Sequence, residues 1–213
     1  AFIYVRSLGG GAMDIPTPNR RERKKETMIN KIITTAIELF HQNGLYAVTM
    51  EQIAEDADIA KGTLYNHFPS KEAIIVAFLK RTFQERNPER LTHLRKLPNT
   101  RSRMIYVFGL LIEGVQAQKE IFEAFWIYRM KQVISFRIGE DERSGLYQLV
   151  HEIIHLGQLN GELRTDLPGD LLEGLFEFAF IEAIKPFYLS PDHFNANESI
   201  ERCVDLFLNG AKA

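Results

Sequence analysis

The stretch from Thr49 to Lys71, TMEQIAEDADIAKGTLYNHFPSK, limits the fold of this chain more than any other. Thr49 is placed as an N-cap, its hydroxyl accepting from an otherwise orphaned amide, with Gln52 three residues on to complete a capping box. A helix therefore starts there. Met50, Ile53, Ala54 and Ala57 hold the i, i+3, i+4, i+7 positions of one buried face, and Glu51, Glu55 and Asp56 point to water. Asp58 and Ile59 make a turn, and a second short helix, about Lys61 to His67, carries Leu64 inward with Phe68 behind it as a plug. Lys61, Thr63, Tyr65, Asn66 and His67 stay outside, where a solvated helix normally carries Glu and Lys in quantity. Hydroxyls, an amide and an imidazole are groups that bond phosphates and base edges. Gly62, lacking a Cβ, lets the start of the helix lie close to a nucleic-acid strand, and helix N-termini attract phosphate. On spacing alone, two short surface helices of an ordinary helical protein remain the alternative.

The flanks favour the DNA-reading arrangement. Upstream, Ile29, Ile32, Ile33, Ala36, Ile37 and Phe40 form one stripe of a helix from about Lys24 to Gln42, closed by Asn43 and Gly44. Downstream, Pro69 and Ser70 stop the second short helix and cap a longer one with Ile74, Ile75, Phe78 and Leu79 inward. In IELFHQNGLYAVTMEQIAEDA and KGTLYNHFPSKEAI the chain resembles the N-terminal domain of the tetracycline-repressor (TetR) family of bacterial transcription regulators. The resemblance runs from about Lys24 to Leu79 and is most specific at Thr-Leu-Tyr-x-His-Phe-x-x-Lys. It implies an all-α chain with an N-terminal three-helix helix-turn-helix DNA-binding domain and a larger C-terminal helical domain for ligand binding and dimerisation. It also implies that Thr49 and Lys71 hold the DNA backbone, and that Lys61, Gly62, Thr63, Tyr65, Asn66 and His67 lie at or in the major groove. Tyr65 and His67 are more often phosphate contacts in such proteins, so base reading falls mainly to Lys61, Gly62, Thr63 and Asn66.

Charge is divided unequally along the chain. Residues 19–90 carry 12 Lys and Arg against 10 Asp and Glu, whereas residues 91–213 carry 13 against 17. The run Arg20, Arg21, Arg23, Lys24 and Lys25 stands just before the expected first helix, as a solvated tail or as an arm reaching phosphates or an adjacent minor groove. An overall charge of −2 does not oppose DNA binding, because the local patch decides it. At 213 residues and 45% hydrophobic the chain can bury a sizeable core. Its longest uncharged apolar stretch, Met104 to Ile112, falls far short of the roughly 20 residues that span a bilayer. The single cysteine, Cys203, excludes an intrachain disulfide and suits a reducing cytoplasm. AFIYVRSLGGGA, residues 1–12, is too short in apolar residues for a signal peptide and reads as a leader ahead of Met13. The expected division is 13–70 for the arm and DNA-binding domain and 71–213 for a connecting helix and the C-terminal domain.

Helical stripes continue to the C-terminus. Met104, Phe108, Leu111, Ile112 and Val115 make one, and Ile121, Phe122, Phe125 and Trp126 another, with breaks at Pro98 to Asn99, Gly139, and Asn160 to Gly161. Asp170 is placed to cap a late helix. The aromatic excess, which also includes Phe136, is mostly core. Some of it is expected to line an apolar pocket for a flat aromatic, lipid-like or amphipathic cation ligand, with Phe108, Phe122, Trp126, Tyr147 and Phe176 as candidates and Glu113, Glu123, Glu177 and His155 as polar partners. Leu175, Phe178, Ile181, Val204 and Phe207 on the last two helices are expected at a two-fold interface, which would set two recognition helices about 34 Å apart for a palindromic operator. Closing the monomer core is the other use for those helices. His151, Glu152 and His155 spell H-E-x-x-H, a zinc-hydrolase pattern. Its extended form needs a further histidine where Gly161 stands, so the expectation is no enzyme, no metal and no cofactor. The sum is a cytoplasmic homodimeric repressor with an operator and a small-molecule effector as partners. The alternative is a helical ligand-binding or adaptor protein that does not use DNA.

Overall fold

A computed structural model describes residues 19–134 and 145–211. Asn19 caps the first helix. Its side-chain oxygen accepts from the amides of Arg21 and Glu22, while the Glu22 carboxylate accepts the Asn19 N–H at 2.8 Å. This capping box starts α1 (Arg20–Asn43) ahead of Lys24. The basic run is therefore the exposed first turns of a helix, not an arm preceding one. At the other end Gly44 takes a φ of 82°, in the left-handed region that glycine reaches without strain, and its N–H returns to Phe40 O.

The next two helices, α2 (Met50–Asp56) and α3 (Lys61–His67), stand where the spacing predicts them. Thr49 and Gln52 form the reciprocal cap of α2, and Asp58, at φ 53°, turns the chain between the two. Ile53, Ala54, Ala57, Leu64 and Phe68 are buried in one core with Ile32, Ile33, Ala36 and Phe40 of α1. Ile74 and Ile75 of α4 (Lys71–Lys96) close it. Ser70 Oγ accepts from the Ala73 N–H to begin α4, which carries the buried cluster on through Leu79, Phe83 and Leu94.

The same buried cluster continues through α5 (Thr100–Ala117), α6 (Lys119–Ile134), α7 (Gly145–Leu159), α8 (Gly169–Leu189) and α9 (Ala196–Ala211), with one turn of 3-10 helix, Pro191–His193, between the last two. α4 is fastened to α7 by Asn87, whose buried Nδ2 donates to Gly145 O at 2.7 Å and to Gln148 Oε1 at 2.9 Å. The two helices approach so closely that a Cβ on Gly145 would stand 2.1 Å from Phe83 Cβ. Asp170 lies inside the first turn of α8 and does not cap it; the N-cap is Pro168. Every regular element among the described residues is helical, and no helix among them is long and apolar enough to cross a membrane. The leader over 1–12, Phe136 and the break at Gly139 lie outside the described residues.

The packing redistributes several expected site residues. Phe108 meets Phe176 and Phe180 edge-on with centroids 5.0 and 5.5 Å apart, and Phe176 meets Phe207 at 6.3 Å. Phe108 and Phe176 are thus fully buried core and line no pocket wall. Val204 and Phe207, expected to face a second copy, turn into their own protomer, Val204 with no exposure at all. The reason is spacing: Ile200, Val204 and Phe207 follow i, i+4, i+7 on α9, and α5 and α8 of the same chain cover that stripe.

Candidate functional site

On α3, Leu64 is wholly buried, and this turns Lys61, Gly62, Tyr65 and Asn66 to solvent, with Thr63 and His67 half-buried beside them. The six expected DNA-contacting residues of this helix are therefore consecutive neighbours around its outer face, and none of them is acidic. Tyr65 is 45% exposed, and its hydroxyl donates to Glu51 Oε1 of α2 at 3.5 Å, which braces the ring across the two helices. Nothing stands within 4 Å of where a Cβ on Gly62 would project. The fold itself does not require a glycine there.

Thr49 and Lys71, expected on the DNA backbone, are engaged inside the protein. Thr49 Oγ1 accepts from Gln52 N–H at 3.2 Å. Lys71 Nζ donates to Leu45 O at 2.7 Å and to Val48 O at 2.8 Å, which spends two of its three donors on the loop between α1 and α2. The same loop is held from α6 as well: Leu45 N–H donates to Glu120 Oε2 at 2.9 Å. For Lys71 the sequence carries a hint, since a cation in the first turn of a helix opposes the dipole and implies some other use. Glu120 has no such signal. Its partner is 75 residues away.

Arg20, Arg23, Lys24, Thr27 and Lys31 line one exposed face of α1, which extends the positive surface of this domain along the helix.

Between α4 and α5 lies a cavity of about 460 Å³, a size that suits a small-molecule ligand. Its apolar wall includes Phe78, Phe83, Val107, Leu110, Leu111 and Leu149, and Phe122 of α6 reaches it. Of the five aromatics expected there, Phe122 alone lines it. Trp126 instead packs between Phe125 and Phe180, with centroids 5.3 and 5.7 Å away, and its Nε1 is buried without a partner. Tyr147 stacks on His151 at 5.6 Å. Of the polar groups expected there Glu113 lines it, whereas sequence reasoning missed the contribution of α4, Arg81, Glu85, Arg86 and Arg90. A signal was present: Arg86 and Arg90 are like charges at i, i+4, which an isolated helix disfavours.

The H-E-x-x-H segment is tied up in structural pairs. His151 Nδ1 is 2.8 Å from Glu173 Oε1. Glu152 accepts from Arg95 Nε at 2.6 Å, and that hydrogen bond holds its carboxyl below the ordinary range against the opposing effect of burial. The glutamate that a zinc hydrolase would use as base is thus bound to a guanidinium. Among the described residues no group of three or more His, Cys, Asp or Glu is placed to hold a metal ion.

On α8 and α9 an apolar strip faces solvent. Leu171, Leu175, Phe178 and Leu206 are exposed, Phe178 by 52% and Leu206 by 75%, and Ile181 is half-buried. Leu175, Phe178, Cys203 and Leu206 border a shallow groove between the two helices.

Residues 32–78 match the model of the family described as bacterial regulatory proteins, tetR family. The HTH-type transcriptional repressor KstR of Rhodococcus jostii (strain RHA1) is 32% identical over 117 residues, which cover 54% of this chain and 50% of that protein. The chain thus spans about half the length of that relative. Two solved structures share the fold. One is FadR of Thermus thermophilus, a TetR family transcriptional repressor in complex with lauroyl-CoA, with a TM-score of 0.68 and 21% identity over 85% of this chain and 94% of that one. The other is RolR in complex with resorcinol, with a TM-score of 0.62 and 19% identity over 90% of each chain.

Proposed function

The chain belongs to the tetR family of bacterial regulatory proteins, and from that premise we propose that it is a ligand-responsive repressor. In this reading it binds a palindromic operator as a homodimer through α3 and releases it when a small apolar or amphipathic molecule enters the cavity between α4 and α5. The observation that carries the reading is the outward face of α3, with its hydroxyls, amide and imidazole and a glycine that the fold does not need. Lys61, Gly62, Thr63 and Asn66 read bases, and Tyr65 and His67 hold phosphates. Thr49 and Lys71 act by fixing the loop and α2 on which α3 rests. The DNA-binding domain extends to residue 70, and the remainder senses ligand and dimerises. Leu175, Phe178 and Ile181, joined by Leu171 and Leu206, meet their mates across the two-fold axis. An operator-bound repressor works in the cytoplasm.

Release follows from linkage, since a ligand shifts an equilibrium only by binding one conformer better than the other. Two sets of hydrogen bonds join the cavity to the DNA-binding domain. α4 lines the cavity from Phe78 to Arg90 and begins at Lys71, which grips Leu45 O and Val48 O. α6 contributes Phe122 to the cavity and Glu120 to Leu45 N–H. Movement of either helix reaches the α1–α2 loop and changes the spacing of the recognition helices. The test is selection of duplex DNA from a randomised pool, then mobility shift over a salt series with wild type and Tyr65→Ala. The expected results are a palindromic selected site, affinity that falls steeply with salt, and a loss of about 1–3 kcal/mol in the variant without unfolding. A pool that yields no enriched site, or equal binding by Tyr65→Ala, refutes the reading and leaves a helical ligand-binding protein that does not use DNA.

A further inference from the structure

The cavity between α4 and α5 is apolar on most of its wall, with arginines gathered at one place on α4 and Glu113 and Gln118 on the side of α5. Of the three arginines that α4 brings there, Arg81 is paired with Glu85 at 4.0 Å. Arg86 and Arg90 make no ion pair among the described residues. Arg90 packs its guanidinium over the Phe83 ring, 5.3 Å from the centroid, and its Nη1 is buried with no hydrogen-bond partner. Buried donors are ordinarily satisfied, and a donor on a cation is the costliest to leave open. Burial first and the Arg86 charge second push Arg90 below the ordinary arginine value, while Tyr106 and Glu89 act the other way without bonding to it. At this place the lining offers a guanidinium donor without a partner and a second cation beside it, while Thr82, Glu113 and Gln118 are the polar groups elsewhere on walls that are otherwise hydrocarbon.

On the reading of this cavity as the effector site, we propose that it takes an amphipathic anion. The apolar body lies against Phe83, Val107, Leu111 and Phe122, and a carboxylate or phosphate head accepts from Arg90 with Arg86 next to it. An anion fills the open donor and relieves the repulsion between the two arginines. A neutral ligand does only the first, and a cation does neither. This adds an anionic head to the lipid-like class expected from aromatic content.

Titration calorimetry of the full chain, without DNA, with dodecanoate, dodecyl phosphate, dodecanol and dodecyltrimethylammonium below their micellar concentrations tests the proposal. At least one anion is expected to bind about tenfold or more tighter than the alcohol and the cation, as befits one hydrogen bond to a charged group. The order of the two anions tells carboxylate from phosphate. Arg90→Met keeps an apolar stem near Phe83 and removes the donors, so it brings the anions to within about threefold of dodecanol and leaves the alcohol unchanged. Equal binding of anions and alcohol, tighter binding of the cation, or binding by none of the four overturns the proposal. Should Arg90→Met fail to fold, the charge series on wild type decides alone. The regulator reading is judged separately by mobility shift. Anion binding that depends on Arg90 but leaves operator binding unchanged keeps the site and removes its effector role, whereas operator release by dodecanol and not by the anions removes the anion site and keeps the regulator.

Discussion

Replacing Gly62 by alanine sets the free protein against its DNA complex. The change adds one methyl group at the second residue of α3, at a point where nothing in the protomer lies within 4 Å. The free protein therefore meets no clash. An alanine restricts the unfolded chain and favours a helix by about 0.5–1 kcal/mol at an interior position, and near the low end so close to a helix start. For a chain of this length that raises Tm by about 1–3 °C. On DNA the sign reverses. If the backbone at Gly62 lies against a strand, the methyl group forces α3 outward and weakens the neighbouring contacts of Lys61 and Thr63, at about 1 kcal/mol or more per half-site. Two half-sites make the expected loss roughly tenfold to a hundredfold in Kd. Scanning calorimetry on the free protein and fluorescence anisotropy on its selected duplex, at one fixed salt concentration, read both effects. A variant that is more stable and binds DNA as well as wild type refutes the close approach. One that is less stable refutes the local account of α3.

Other residues give contrasts of the same kind. Lys71→Met leaves the carbonyls of Leu45 and Val48 without their shared donor, and the expected destabilisation is about 1–3 kcal/mol by chemical denaturation of the free protein; unchanged stability with a salt slope reduced by about one would return Lys71 to a phosphate. If Phe178, exposed in the protomer, meets its mate in the proposed dimer, Phe178→Glu sets two carboxylates where two rings worth about 1.5–3 kcal/mol each would be buried, so sedimentation at micromolar concentration should show a monomer with intact helical content; a persisting dimer places the interface elsewhere. Glu152→Gln removes the partner of Arg95. Because the folded carboxyl is held below its ordinary value of 4.5, its contribution is complete above that pH and vanishes as pH falls through the folded value. The Tm gap between wild type and variant should therefore close on acidification below about pH 4.5, and a gap that widens contradicts the pairing.

The helix-turn-helix was legible almost residue by residue. Thr49 and Gln52, the turn at Asp58, and the bounds Lys61 to His67 depend on interactions within a few residues of one another, and local chemistry of that range is written directly in the order of side chains. One local signal was misread: Asn19 with Glu22 is as good a capping box as Thr49 with Gln52, and it makes the basic run helical. The all-α class and the order of stripes were equally plain, since each stripe depends only on a 3.6-residue period.

Periodicity shows that a helix has an apolar face and does not say what covers it. Val204 and Phe207 carry the same pattern as Leu175 and Phe178, yet the first pair closes the protomer and the second faces solvent. The aromatic content implied a pocket, but the rings of Phe108, Phe176 and Phe180 satisfy one another, and the cavity opened instead between α4 and α5, where three arginines stand. Lys71 on the loop carbonyls and Glu120 on Leu45 join residues 23 to 75 positions apart. The sequence by itself determined the helices and the outward face of α3, because short-range hydrogen bonds and side-chain spacing decide them. Only the tertiary structure decided which faces pair, where the cavity lies and how it is joined to α3, because those depend on which surfaces meet once the chain has closed on itself.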